Sequence, residues 1–364
     1  MLSANKVNEE SCVENVVETS TAKCRNCGAN MVFEASTQSL YCSHCENRIK
    51  FNDQTAGKEL DFSTRYMYDE SNLLKNSVVF ICDNCNAKIV LDKNQTATVC
   101  PFCATSHVHL TEDLQGVKPN AIVPFNISDE KAVGYAKGWA KRRVFAPRKF
   151  KKSLCAKNVK GVYYPCFTFD SYTSSVYSGR IGKTHTRTVG SGKNRRTQTY
   201  TVWRNISGNY FSRFDDVLVS GGQKIDQKTL NKISPFYTNE SKEYQENYLL
   251  GFMAYHYDDK IESCWDTAKS FIDVSLRSQI LSQYSYDKVS YLNVSTKHQN
   301  VTFKYVMLPV YVGSFNYKTQ LYNFFVNGRT GKVTGKSPIS ALKIFLTILG
   351  GIGLITLFYL LFFR

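Results

Sequence analysis

Eight cysteines carry the clearest chemistry in the chain. Residues 24–45 read CRNCGANMVFEASTQSLYCSHC, and residues 82–103 read CDNCNAKIVLDKNQTATVCPFC. Each stretch holds two C-x-x-C pairs separated by fourteen residues. Cys24, Cys27, Cys42 and Cys45 recur 58 positions later as Cys82, Cys85, Cys100 and Cys103. Asn26 and Ala29 recur as Asn84 and Ala87, and apolar Met31–Phe33 as Ile89–Leu91. Agreement of spacing and flanking residues at one offset marks an internal duplication.

A tight turn at each C-x-x-C lets both thiolates face one ion, and a hairpin returns a second such turn opposite the first. Four thiolates then close a tetrahedron around Zn²⁺, with Zn–S near ~2.3 Å. The expectation is two Zn²⁺ ions, one per quartet. Four sulfur ligands leave no open coordination position, so both ions are structural rather than catalytic. Disulfides and rubredoxin-like iron are the chemical alternatives; the duplicated spacing and a reducing compartment favour zinc. His44 and His107 stand beside the knuckles, but each quartet is complete without them.

Short hairpins must position these ligands. Met31–Phe33 and Leu40–Tyr41 flank polar EASTQS, and Ile89–Leu91 and Thr98–Val99 flank DKNQTA. Units this small bury too little apolar surface to fold alone, so metal supplies much of their folding free energy. The expected plan is multidomain: a disordered acidic N-terminus over 1–22, a β zinc ribbon over 23–50, a linker over 51–77 and a second ribbon over 78–110. An α+β domain with antiparallel sheet follows over 118–338, then one transmembrane helix over 344–363.

Within these limits a short helix is expected at Ser71–Lys75 and a strand at Ser77–Ile81. Asp129–Arg143 is a predicted helix, capped by Ser128 or Asp129, with Val133, Ala136, Trp139 and Ala140 on one face. Pro147 prevents its smooth continuation. From Gly161 the period becomes strand-like through Asp170. Strands at Thr173–Tyr177 and Thr197–Trp203 are expected to flank a basic, Gly-rich loop at Gly179–Arg196. That loop matches neither a P-loop nor a dinucleotide fingerprint. Beyond it come a strand at Tyr210–Ser220, a short helix at Thr229–Ile233 and a long helix at Glu262–Gln283. Trp265, Ala268, Ile272, Leu276 and Ile280 give that long helix its apolar stripe. Strands are then predicted at Val289–Thr296, Val301–Tyr311 and Thr319–Val326, with a turn at Asn327-Gly328.

The chain has 364 residues, 43% of them apolar and 13% aromatic, enough for two or three domains. Its formal net charge of +16 is unevenly spread. Residues 1–130 carry 11 basic and 17 acidic side chains, whereas residues 131–214 carry 19 basic ones and a single acid, Asp170. Residues 1–22 hold four Glu and no continuous apolar stretch, so no secretory signal is expected there. Cys12, Cys155, Cys166 and Cys264 lie far apart and read as free thiols of a reducing cytosol.

Ile344–Phe363 is a run of 20 residues without a charge. At about 1.5 Å per residue a helix of this length matches the ~30 Å hydrocarbon core of a bilayer. Lys332, Lys336 and Lys343 precede it and only Arg364 follows, which favours a cytosolic N-terminal bulk at the cell membrane. Gly350, Gly351 and Gly353 do not form G-x-x-x-G.

In this combined order the chain resembles a family of bacterial membrane proteins common in Gram-positive species, often labelled TFIIB-type zinc ribbon-containing or primosomal protein N′-like. The residues that match are the doubled C-x-x-C pairs, Pro124-Phe125, Gly161-Val162-Tyr163-Tyr164-Pro165, Leu308-Pro309-Val310 and Val326–Lys332. The resemblance implies a membrane partner of phage-shock-protein-A-like stress proteins. The chain lacks a Walker A Gly-Lys-Ser/Thr, so no helicase activity is carried over.

Two functions are expected from different classes. The first is a membrane-anchored scaffold whose ribbons recruit a protein partner, with no enzymatic activity. The second is a membrane-tethered nucleic-acid binder that uses the ribbons and the basic segment 131–214. Lys141, Arg142, Arg143, Arg148, Lys149, Lys151 and Lys152 interleave with Trp139, Phe145 and Phe150. Together with Arg187, Lys193, Arg195 and Arg196 they suit either anionic lipid headgroups or phosphates and bases. His256, Asp258 and Asp259 form an H-x-D-D cluster, but no nucleophile or second ligand group accompanies it.

Overall fold

The computed structural model describes residues 22–50, 57–64, 77–92, 100–103, 105, 108–111, 118–153, 159–190, 192, 195–317 and 320–362. Cys12, Cys155, His107, Lys193 and the helix expected at Ser71–Lys75 lie outside them.

The first cysteine unit is a small sheet of β1 (Met31–Glu34), β2 (Ser39–Cys42) and β3 (Arg48–Ile49). The other strands among the described residues form one mixed sheet of twelve. It begins with β4 (Leu60–Asp61), β5 (Ser77–Cys82), β6 (Lys88–Asp92), β7 (Val108–Thr111) and β8 (Ala121–Ile122). Helices α1 (Asp129–Lys141) and α2 (Arg148–Ser153) follow, then the long hairpin β9 (Val159–Val189) and β10 (Arg196–Ser220). After α3 (Gln227–Ile233), β11 (Lys242–Glu243) and β12 (Met253–Tyr255) comes the long helix α4 (Ile261–Ser282). The chain closes with β13 (Lys288–Tyr317), β14 (Gln320–Asn327), β15 (Val333–Gly335) and α5 (Ala341–Phe362).

β9 and β13 form the centre, paired antiparallel over nearly their whole length. Alternation along them divides the core. Tyr163, Phe167, Phe169, Tyr305 and Met307 face the side covered by α1, α4 and the first cysteine unit. Val162, Tyr164, Cys166, Val306 and Leu308 face the side covered by α3 and the second unit. A strand buried on both faces needs apolar residues at nearly every position, which 162–169 supplies except at the buried Thr168. The sheet is not purely antiparallel as expected. β12 runs parallel to β9 and β8 parallel to β13, because these short strands return from helices and loops rather than hairpins.

Three sequence readings are corrected. Gly179–Val189 is strand, not loop: β9 continues to Val189, and only a tip separates it from Arg196. Its glycines are there for close packing. A Cβ on Gly179 would lie 2.8 Å from the Tyr291 carbonyl oxygen, and one on Gly182 would lie 2.9 Å from the Trp203 ring. The strands expected at Thr173–Tyr177 and Thr197–Trp203 are therefore parts of β9 and β10. Likewise, the two strands expected at 289–296 and 301–311 are one, with a bulge at Asn300, whose φ is +48°.

Residues 171–189, 196–214 and 288–299 thus form a three-stranded arm beyond the main core. The C-terminal half of α4 covers one face, where Ile280 packs on Tyr177, Ile181, Ile206 and Leu292. The predicted stripe of α4 is fully buried or nearly so. Ser128 caps α1, its Oγ accepting from the Lys131 N–H at 3.4 Å.

Candidate metal centres

The knuckles repeat as the sequence does. Cys24 N–H donates to the Ala29 carbonyl at 2.8 Å, and Gly28 N–H to the Cys24 carbonyl at 2.8 Å. In the second unit Cys82 N–H donates to Ala87 and Asn86 N–H to Cys82. Gly28 and Asn86 both take the left-handed conformation, at φ +72° and +56°. Those two residue types adopt it most easily. They stand 58 positions apart like the cysteines, so the sequence itself carries this sign of the shared turn.

In each quartet the four sulfurs lie within 4.8 Å of one another. Cys24 and Cys45 Sγ are 3.3 Å apart, Cys27 and Cys42 3.5 Å, Cys82 and Cys103 3.4 Å, and Cys85 and Cys100 3.7 Å. A disulfide needs ~2.05 Å. The edges of a ZnS₄ tetrahedron with ~2.3 Å bonds are about 3.8 Å. The sulfurs therefore fit one tetrahedral metal ion per quartet. Backbone N–H groups favour the thiolate form that a metal needs. Burial raises the Cys24 thiol, but the Asn26 and Cys27 amides and the Cys45 and Cys42 thiols outweigh it and bring it to about 6. Across the same quartet the Asn47 amide lowers the Cys45 thiol, but Cys24 and burial outweigh it and push it up to about 12. His44, between Cys42 and Cys45, is exposed.

Both units are built onto the main sheet. Phe33 N–H donates to the Leu250 carbonyl at 2.9 Å, and the Phe33 ring meets Tyr248 at 5.2 Å. The Gln38 side chain donates to the Phe125 carbonyl at 2.7 Å. The second unit goes further: β6 pairs with β12, so its hairpin continues the sheet itself. Lys224 Nζ donates to the Cys85 carbonyl, and Phe102 packs on Tyr255 with centroids 5.1 Å apart.

The basic residues do not form one surface. Lys141 ends α1, Arg142 and Arg143 follow it, and Arg148, Lys149, Lys151 and Lys152 belong to α2. Arg187, Arg195 and Arg196 lie at the far tip of the β9–β10 hairpin. Between Val159, near α2, and Arg187 run 28 residues of strand, on the order of 90 Å of contour.

His256 is buried, its Nδ1 2.8 Å from the Tyr257 carbonyl, and burial holds its pKa down at about 4. Asp258 accepts from Tyr255 Oη and from the Gln223 N–H at 3.0 Å, while Asp259 accepts from the Gln223 side chain at 3.4 Å. These carboxylates hold the 221–223 turn. Burial pushes the Cys264 thiol up to about 12 and raises Cys166 well above the usual range, so neither is a nucleophile at neutral pH.

One further carboxylate group was not foreseen. Glu59, Asp170 and Asp215 oxygens lie within 4.8 Å of one another, and Lys304 Nζ is 2.7 Å from Asp216 and 3.4 Å from Glu59. The bulge after Phe214 delivers Asp215 and Asp216 to this place. Burial, then the Asp215 side chain, pushes Asp170 up to about 7 despite the Asp216 amide that donates to it at 2.8 Å. A carboxyl raised by folding contributes stability below its unfolded pKa near ~4 and loses it as pH rises through about 7. Asp170→Asn, which keeps the acceptor oxygen, is expected to remove that fall. Thermal unfolding in detergent should find it more stable than the native protein at pH 8 by on the order of 3 kcal/mol, and equal at pH 4. An unchanged slope in the variant would refute this.

α5 is the one described helix long and apolar enough to cross a membrane, and none of its most apolar window is buried.

A Bacillus subtilis (strain 168) protein, "Uncharacterized protein YdjG", is 32% identical over 327 residues, or 88% of this chain and 91% of YdjG. The chain belongs to the YdjG family. No family model matches it, and no solved structure does. With 88% of the chain aligned, the likeness to YdjG reaches far beyond the two cysteine units into the sheet domain.

Proposed function

We propose that the protein is a membrane-anchored adaptor with two structural zinc ribbons, held on the cytosolic face of the cell membrane, that recruits a protein partner there. The observation that carries this reading is the presence of two closed four-cysteine centres and an uncovered apolar helix on one sheet domain. Closed centres shape a surface without offering a site for chemistry. The resemblance to membrane partners of phage-shock-protein-A-like proteins points to a membrane-stress partner, and no enzymatic activity is proposed.

A second reading, a membrane-tethered nucleic-acid binder, is favoured by the free face of the arm. Tyr172, Trp203, Phe211 and Tyr291 are exposed there, with the Arg180 and Arg213 guanidiniums 5.8 and 5.5 Å from the Trp203 and Tyr172 ring centroids. Aromatic platforms among cations suit stacked bases and phosphates. Crosslinking in intact cells, followed by identification of bound protein and nucleic acid, separates the two. The adaptor reading requires one protein partner that leaves the membrane fraction when residues 342–364 are deleted. Nuclease-sensitive recovery of nucleic acid, with no such partner, replaces it by the second reading.

A further inference from the structure

We propose that the turn joining α1 to α2 is a second membrane contact, a site for anionic phospholipid headgroups at the foot of α5. This rests on the reading of α5 as a membrane anchor.

The turn is tied to the first residues of that helix. Ser340 N–H donates to the Phe145 carbonyl at 2.9 Å. Lys343 Nζ donates to the Val144 carbonyl at 3.1 Å and the Ala146 carbonyl at 2.6 Å. Lys343 is the last charged residue before the uncharged run that starts at Ile344. Its ammonium therefore sits where hydrocarbon gives way to headgroups, and the turn shares that depth to within about one helical turn, ~5.4 Å.

The side chains around this point suit an interface. Val144 is 70% exposed, Phe145 41%, Ile339 63% and Leu342 67%. Exposed large apolar side chains near one point gain nothing in water; beside a bilayer they enter the acyl boundary. Arg142, Arg143, Arg148 and Lys149 are exposed on both sides of it. None of them takes part in an ion pair among the described residues. The α1 carboxylates, Asp129 and Glu130, lie at the opposite end of that helix, about 17 Å away at its ordinary rise. Guanidiniums free of carboxylates pair readily with phosphate. A lone helix lets a domain swivel over the bilayer. This second contact fixes the orientation of the sheet, and the arm tip with Arg187, Arg195 and Arg196 takes no part in it.

The test uses the full-length protein reconstituted in vesicles, with p-benzoylphenylalanine placed at position 144 or, separately, at position 354 within α5. Illumination and mass spectrometry then read lipid adducts. Adducts are expected at both positions in vesicles containing phosphatidylglycerol. At position 144 the yield should fall when phosphatidylcholine replaces the anionic lipid. It should fall also when Arg142, Arg143, Arg148 and Lys149 become Gln, by up to about fivefold per cation. At position 354 it should not change. Adducts at 354 without any at 144, or a yield at 144 indifferent to lipid charge and to the four Gln substitutions, would overturn the contact and leave the anchor standing. Absence of adducts at both positions would overturn the anchor and the contact together.

Discussion

Purified protein is expected to carry two zinc ions per chain, and Cys42→Ser to carry one. Each quartet is self-contained, with its four sulfurs within 4.8 Å and no ligand shared between units. Structural zinc contributes roughly 10–16 kcal/mol to the folding of small sites of this kind. Loss of one ligand therefore releases the ion and the order it imposes. The consequences should differ between the units. The first has its own three-stranded sheet, so Cys42→Ser should disorder mainly residues 23–50. In the second, β6 is hydrogen-bonded to β12, so its hairpin is part of the main sheet, whereas the first unit keeps a separate sheet and reaches the main one by packing, with Cys42 in the core that includes Tyr163 and Phe303. Cys100→Ser should therefore lower the unfolding temperature of the whole sheet domain as well as the metal content. Metal analysis with hydrogen exchange reads both effects. Two zinc ions retained in Cys42→Ser would refute the ligand assignment, and equally local damage in both variants would refute the difference between the units.

The parts legible in the sequence were those set by local spacing. C-x-x-C pairs at a fixed offset specify four ligands without reference to the rest of the chain, and all eight cysteines meet in the two expected groups. The 3.6-residue stripe of α4 and the uncharged run of α5 also depend only on near neighbours. What escaped depended on contacts between distant residues. Gly179 and Gly182 look like loop residues until Tyr291 and Trp203 are seen pressing against them. The mixed sheet follows from two- and three-residue strands, Ala121–Ile122 and Met253–Tyr255, too short to leave a period. The carboxylates of Glu59, Asp170 and Asp215 are joined only by a bulge and by strand pairing. The basic residues formed one group by composition, yet chain direction sends some to the foot of α5 and others to the arm tip.

Deleting residues 342–364 is expected to move the protein from the membrane fraction into one that water or salt extracts. More than a dozen large apolar side chains of α5 are exposed, among them Leu354 at 70% and Leu361 at 70%. Each is worth roughly 1.5–3 kcal/mol when removed from water, so in a bilayer they would together hold the intact chain far more firmly than any surface contact. Without them only the α1–α2 turn and its cations remain. Charge attraction of that kind decays within about 8 Å at physiological salt. High salt should then release the shortened protein, whereas the intact chain should resist salt and need detergent. Direction across the bilayer is read by protease. The orientation proposed from the positive-inside balance has the cysteine units in the cytosol, so protease should digest them in inverted vesicles and spare them in sealed cells. A shortened protein that still needs detergent would remove α5 as the anchor, and protection of the units in inverted vesicles would reverse the orientation.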